Sequence, residues 1–298
     1  MTPAERQCRL LVFLDAFGGR IGALDFQKLL FLFCQEQSAA AYEFVPYSFG
    51  GFSFTSYADK RHLIERGFLI NDEHAWVLTS AGRVASSSAV FERASVNQFA
   101  TRYRKLRGDD LVREAYRRYP YYAIRSEIAG RLLQQDSAAL AAIEEARPPR
   151  GAAGICTIGY EGRSLEGYLN RLIHAGVSLL CDVRRNPLSR KYGFAKNTLA
   201  KSCGGTSIRY EHLPELGIPS EDRKHLETQS DYDALFSDYK RESLPRRTES
   251  FDRIHRWVQE GERVALTCFE LDPKKCHRHC VAEALLQSFG SVFEPTHL

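Results

Sequence analysis

The stretch GICTIGYEGRSLEGYLNRLIHAGVSLLCDVRR, residues 154–185, decides the fold. Its first seven residues form a short, mostly apolar run of strand length, and VSLLCDVRR (177–185) is a second. Between them, Leu165, Tyr168, Leu169, Leu172 and Ile173 recur at helical spacing, and Gly176 closes the pattern. Two further runs, SIRYEHL (207–213) and RVALTCFE (263–270), extend the series, the last entered from the helical pattern SFDRIHRWVQEG (250–261). Strands alternating with helices predict an α/β fold over 151–298, with a mostly parallel Rossmann-like sheet and helices on both faces. In such a sheet ligands bind beyond the carboxyl ends of the strands.

At 298 residues, with 44% apolar and 11% aromatic side chains, the chain is long enough for about two domains with real cores. No apolar run reaches the roughly 20 residues of a membrane span. The opening MTPAERQCRLLVFLDAF has no small-residue cleavage site after its apolar stretch, so a cytoplasmic location is expected. Eight cysteines are then expected as reduced thiols, several of them core residues, and a net charge of +4 says little about partners.

The joint lies in AIEEARPPRGAAG (142–154), where Pro148 and Pro149 stop a helix. Upstream, CRLLVFLDAF (8–17) and ALDFQKLLFLFCQEQ (23–37) read as amphipathic helices and SYADKRHLIERG (56–67) as a third. FLI (68–70), the polar break NDEH (71–74) and WVLTSAG (76–82) follow as two short strands and a helix start. Three helices and a two-stranded wing make residues 1–90 a winged-helix-like domain, whose third helix would suit a DNA major groove. With the turn Pro46, Tyr47, Ser48, Phe49, Gly50, Gly51, Phe52, Ser53, residues 8–83 also resemble the Panacea/SocA-like antitoxin family.

Residues 91–150 read as a basic helical connector. Within 101–133 nine Arg or Lys face four Asp or Glu, and they interleave with tyrosines. Arg102, Arg104, Lys105, Arg107, Arg117, Arg118 and Tyr119 are therefore expected to contact nucleic acid by phosphate attraction and base stacking. A solvated helix face with ordinary tyrosine packing would have the same composition.

Past the four predicted strands stand Tyr160, Glu161 and Arg163, then Asp182, Arg184 and Arg185, then His212, then Cys268 and Glu270. CTIGYEGRSLEGYLNRL, LLCDVRRNPLSRKYGFAKNTLAKSC, IRYEHLPELG and ALTCFELDPKKCHRHCVAEAL fall in order over 155–285 and resemble the domain of unknown function 488 family. The resemblance implies that Asp182, Arg184, Arg185, His212, Glu270, Cys276, His277 and Arg278 occupy that family's characteristic positions, without assigning them chemistry.

CFELDPKKCHRHC (268–280) admits several readings. A metal clip would use Cys268, Cys276, His277, His279 and Cys280, but a second knuckle is missing and Cys268 points from a strand end, so no metal and no cofactor are expected. A nucleophilic Cys276 would need a longer run of donors before its arginine. An anion cradle formed by Arg163, Arg184, Arg185, Cys276, His277 and Arg278 suits a phosphate at a helix start, beside the carboxylates Glu161, Asp182 and Glu270. An ion-pair network stitching the strand ends together uses the same residues.

The expected function is hydrolysis of a nucleotide or nucleic acid, at an N-glycosidic bond in preference to a phosphodiester. Asp182 or Glu270 would be nucleophile or base, and Glu161, Tyr160 and His212 complete the catalytic set. The alternative is a non-catalytic nucleotide-sensing or DNA-binding regulator in phage defence or a toxin-antitoxin system. The basic stretch 184–203 is expected to be a long lid over the crevice.

Overall fold

The computed structural model describes residues 1–88, 93–219, 221–223, 226–290 and 293–298, in two compact units, Met1–Arg147 and Pro148–Leu298. Among the described residues no helix is long and apolar enough to cross a membrane.

The first unit is mostly helical. Its opening helix, Pro3–Ala16, is capped by Thr2 and Glu5 in a reciprocal box, and Leu10, Leu11, Phe13 and Leu14 are buried. The second, Ala23–Gln35, buries Phe26, Leu29 and Leu30, and Phe26 stacks on Trp76. Two strand pairs accompany them. β1 (Arg20–Gly22) runs antiparallel to β4 (Ala75–Val77), while β2 (Val45–Tyr47) and β3 (Gly50–Phe52) form a hairpin.

The expected FLI strand is reduced to one antiparallel bridge between Leu69 and Leu78, beside which the Ile70 N–H donates to the Val77 carbonyl, while Arg20–Gly22 pairs along the other edge of β4. The third helix, Phe54–Glu65, is packed along one side and exposed along the other. Asp59 is held by Arg6, Gln7 and Tyr42, Lys60 donates to the carbonyls of Asp72 and Ala75, and Arg61, His62 and Glu65 remain exposed. The helices Arg93–Arg102, Gly108–Arg118 and Ser137–Glu145 belong to this same unit.

The second unit is α/β. Its strands are β5 (Gly154–Gly159), β6 (Leu179–Asp182), β7 (Arg209–His212), β8 (Arg263–Cys268) and β9 (Thr296–His297). Among the described residues they form a five-stranded sheet in the order β7-β6-β8-β5-β9, with every pairing parallel. The central strands are buried along their length, so their sequences are continuous apolar runs rather than alternating ones.

Right-handed crossovers fix the layers. Connections from β5 to β6 and from β6 to β7 run one way, placing helices Leu165–His174 and Lys196–Gly205 on one face. Connections from β7 to β8 and from β8 to β9 run back, placing Gln229–Asp238, Thr248–Gln259 and Arg278–Phe289 on the other. The two paths part between β6 and β8. Side chains on this second face form one core, in which Leu179, Cys181, Val264 and Leu266 pack with Ile254 and Val281.

Two sequence expectations are corrected here. The irregular stretch expected to run over 184–203 ends where a helix begins at Lys196, with Leu199 and Cys203 on its buried stripe. The helix start expected at the anion cradle lies past Cys276: His277 is the N-cap residue and the helix runs Arg278–Phe289.

Candidate functional site

Alternation along the strands sorts the polar residues at the carboxyl edge onto opposite faces, because successive strand side chains point to opposite sides. Asp182 lies in register with Thr267 on the face of helix Leu165–His174. Cys268, the next residue of β8, points to the other face and joins its core.

The first cluster is closed. Asp182 is fully buried, and its Oδ1 accepts from the Arg184 backbone N–H at 3.1 Å and from Arg184 Nε at 2.8 Å. Its Oδ2 accepts from the other guanidinium branch at 2.5 Å and from the Tyr210 hydroxyl at 2.7 Å. The remaining Arg184 nitrogen donates to the Tyr160 hydroxyl and the Phe194 carbonyl, both at 2.9 Å, and Tyr160 stacks on Phe194 at 4.3 Å. Burial works against the charge of Arg184, yet the hydrogen bonds and charge of Asp182 hold its pKa above the ordinary value. Burial beside Asp182 also pushes the Tyr210 hydroxyl up. His212 Nε2 faces the Arg184 carbonyl at 2.9 Å, so the ring braces the same turn.

The second cluster faces a cleft. Cys268, Cys276 and His277 are buried, with their ligand-type atoms all within 4.8 Å of one another. His277 Nε2 lies 2.9 Å from the Val183 carbonyl, which fixes the ring with Nδ1 3.7 Å from Cys268 Sγ. Glu270 Oε2 lies 3.4 Å from the same sulfur, and its side chain is 24% exposed. Burial, and then the neighbouring Cys268 thiol, push Cys276 well above the ordinary thiol value, opposite to the shift that activates a nucleophile.

Glu270, His277, Arg223, Lys275, Tyr232 and Phe236 line an open cleft of about 330 Å³. Arg223 stands 3.8 Å from Glu270. Phe269 and Leu271, on the same loop, are exposed apolar side chains.

Arg278 positions that loop. Fully buried, it donates to the carbonyls of Glu270 and Leu271, with a longer contact to Thr157 Oγ1. The loop lies directly on β5: a Cβ on Gly159 would stand 1.9 Å from the Glu270 carbonyl oxygen, so only glycine fits. Glu161 accepts from the Leu271 N–H at 2.9 Å.

Residues 164–285 match the family model for the domain of unknown function DUF488. The second unit carries a DUF488 domain. No curated protein and no solved structure matches the chain.

The sequence-derived site thus divides in two. Asp182, Arg184, Tyr160 and His212 gather in one cluster, while Glu270, Cys276 and His277 gather in the other, with Arg278 behind their loop. Arg185 is exposed, donates weakly to the Pro214 carbonyl and borders a separate hollow with Asp222 and Arg247. Arg163 reaches the Leu298 carbonyl. Arg223 and Lys275 were not singled out from the sequence. Arg223 sits in a polar run that looks like solvated surface, and Lys275 is one of two adjacent lysines on the Glu270 loop; both line the cleft with Tyr232 and Phe236.

In the first unit the basic stripe is largely paired. Arg102 and Arg118 hold Glu36, Arg117 holds Asp136 at 2.7 Å, and Arg107 donates to the Tyr103 and Leu106 carbonyls. The Tyr119 ring lies under Arg118. Arg104 and Lys105 are exposed and have no carboxylate partner among the described residues.

Proposed function

We propose that the DUF488 domain hydrolyses a phosphoester of a nucleotide or nucleic acid in the Glu270 cleft. The observation that carries this reading is the state of the three carboxylates named from the sequence. Asp182 is sealed in its pair with Arg184, Glu161 holds the Leu271 amide, and Glu270 alone lines a cleft, with Arg223 and Lys275 beside it.

One carboxylate among cations suits a phosphoryl group better than a sugar carbon. Glycoside cleavage calls for two carboxyl groups flanking the bond, roughly 5–9.5 Å apart. Arg223 and Lys275 would offset phosphate charge, and the exposed Phe269 and Leu271 offer a base a face to stack on. Arg104 and Lys105 are the exposed first-unit cations best suited to nucleic-acid contact by that unit itself.

The test is product analysis by mass spectrometry after incubating the protein with nucleotides and with short single- and double-stranded oligonucleotides. Cleavage that Glu270→Gln removes and Asp182→Asn preserves in its folded fraction supports this reading. Released free base, or no product from any substrate, overturns it.

A further inference from the structure

We propose that Cys268, Cys276 and His277 hold a divalent cation of the zinc class, with Glu270 on the cleft side of the site. Four observations converge on this. The three ligand atoms come from a strand end and a turn eight residues later, yet all lie within 4.8 Å of one another. Zinc bonds of about 2.3 Å to sulfur and about 2.0 Å to nitrogen or oxygen give a tetrahedron with sulfur-to-nitrogen or sulfur-to-oxygen edges of about 3.5 Å. The 3.7 Å from Cys268 Sγ to His277 Nδ1 lies close to that edge, and Glu270 Oε2 stands 3.4 Å from the same sulfur on the cleft side.

The ring of His277 is oriented for the task. Its Nε2 faces the Val183 carbonyl at 2.9 Å, which leaves Nδ1 as the lone-pair nitrogen turned toward the thiols. A metal-bound histidine is commonly fixed in this way by a carbonyl on its far nitrogen. Finally, two thiols, an imidazole and a carboxylate make a poor apolar core, although buried cysteine alone often serves as a small hydrophobe. Soft thiolates with imidazole favour zinc over magnesium or calcium. The sequence reading set the metal aside for want of a second knuckle; folding supplies the third ligand from β8 instead. Cys280 and His279 stay outside, with His279 facing the Cys276 carbonyl.

Three protein ligands leave a fourth position for water, as in catalytic zinc sites. This role rests on the hydrolase reading above, whereas binding of the ion does not. The bound water gives a proton to Glu270, and its oxygen bonds to phosphorus as the ester P–O bond breaks. The leaving oxygen then takes the proton, so the net change is addition of one water.

The experiment loads the full chain with zinc, dialyses away the excess and counts metal per chain by mass spectrometry. Cobalt(II) replaces zinc in a parallel sample to read thiolate-to-metal charge transfer. One ion per chain with a two-thiolate cobalt spectrum is expected. Cys268→Ser and Cys276→Ser should lose the ion, while Cys156→Ser and Glu270→Gln should retain it. No ion in the wild-type protein, or a cobalt spectrum without thiolate bands, overturns the site whatever the variants do. An ion held with no substrate cleaved removes the hydrolase reading and leaves the site standing. Cleavage that persists in metal-free protein removes the ion's catalytic role alone.

Discussion

Asp182 and Arg184, two residues apart, bind each other through both carboxylate oxygens, and Tyr210 closes the remaining approach. A carboxylate so enclosed holds a strand end in place rather than meeting a substrate. Asp182→Asn leaves the guanidinium buried without its counter-charge, and breaking such a pair costs about 3–5 kcal/mol. Urea unfolding should show that loss, with kcat per folded molecule close to wild type. A stable variant with abolished turnover would return Asp182 to the catalytic set.

Glu270 behaves in the opposite way. Its carboxylate reaches solvent through the cleft, and glutamine preserves its size. Glu270→Gln should lower kcat by about 10²–10⁴-fold, the usual worth of a positioned acid or base, with the thermal midpoint little changed. Steady-state kinetics beside a melting curve separates the two effects.

Much of this architecture is readable in the chain. GICTIGY and RVALTCFE are continuous apolar runs because β5 and β8 are covered on both faces, so their burial is written directly in their composition. Thr296–His297 was not foreseen, since a two-residue strand has no period. The site was legible in its residues and not in its grouping. Asp182 and Glu270 both stand at strand ends and look equivalent in sequence, yet Asp182 closes β6 on the face of Thr267, whereas Glu270 lies in the loop past β8 beside Cys268 on the other face. That Asp182 closes on Arg184 is the ion-pair alternative of the sequence, which could not be preferred there because an acid two residues before an arginine reads equally well as half of a crevice.

The basic stripe of the first unit makes a separable prediction. Arg117 is committed to Asp136, whereas Arg104 and Lys105 are exposed without carboxylate partners among the described residues. If oligonucleotides bind there, replacing both Arg104 and Lys105 by alanine should reduce the slope of log affinity against log salt. The expected change is about 1.4 for single strands and about 1.8 for a duplex. Arg117→Ala should change the slope little. Titrations at several salt concentrations decide it, and an unchanged slope in the double variant places the contact elsewhere.

Gly159 carries the loop of Glu270 on its back. Alanine there would push its methyl into the Glu270 carbonyl, which Arg278 clamps from the other side. Overpacking of this kind typically costs about 1–3 kcal/mol. Because the displaced backbone bears Glu270, Gly159→Ala should lose turnover beyond its loss of folded protein, as kinetics on samples of matched folded fraction would detect.

Lys28, on the helix Ala23–Gln35, is buried with its ammonium group donating to the Gly51 carbonyl at 3.2 Å. Burial pulls its pKa down from 10.5 to about 7. The unfolded chain keeps that proton to near pH 10.4, so between pH 7 and 10 it binds more protons than the folded chain. Stability of the first unit should therefore rise with pH across this window, by up to about 1.4 kcal/mol per pH unit, and the cost of burying the charge is fully present below pH 7. Lys28→Met should flatten the rise. In a Trp257→Phe background the remaining tryptophan, Trp76, reports on the first unit, and urea midpoints at pH 7 and pH 9.5 give the slope. Equal slopes with and without Lys28 would mean that the ammonium group reaches water.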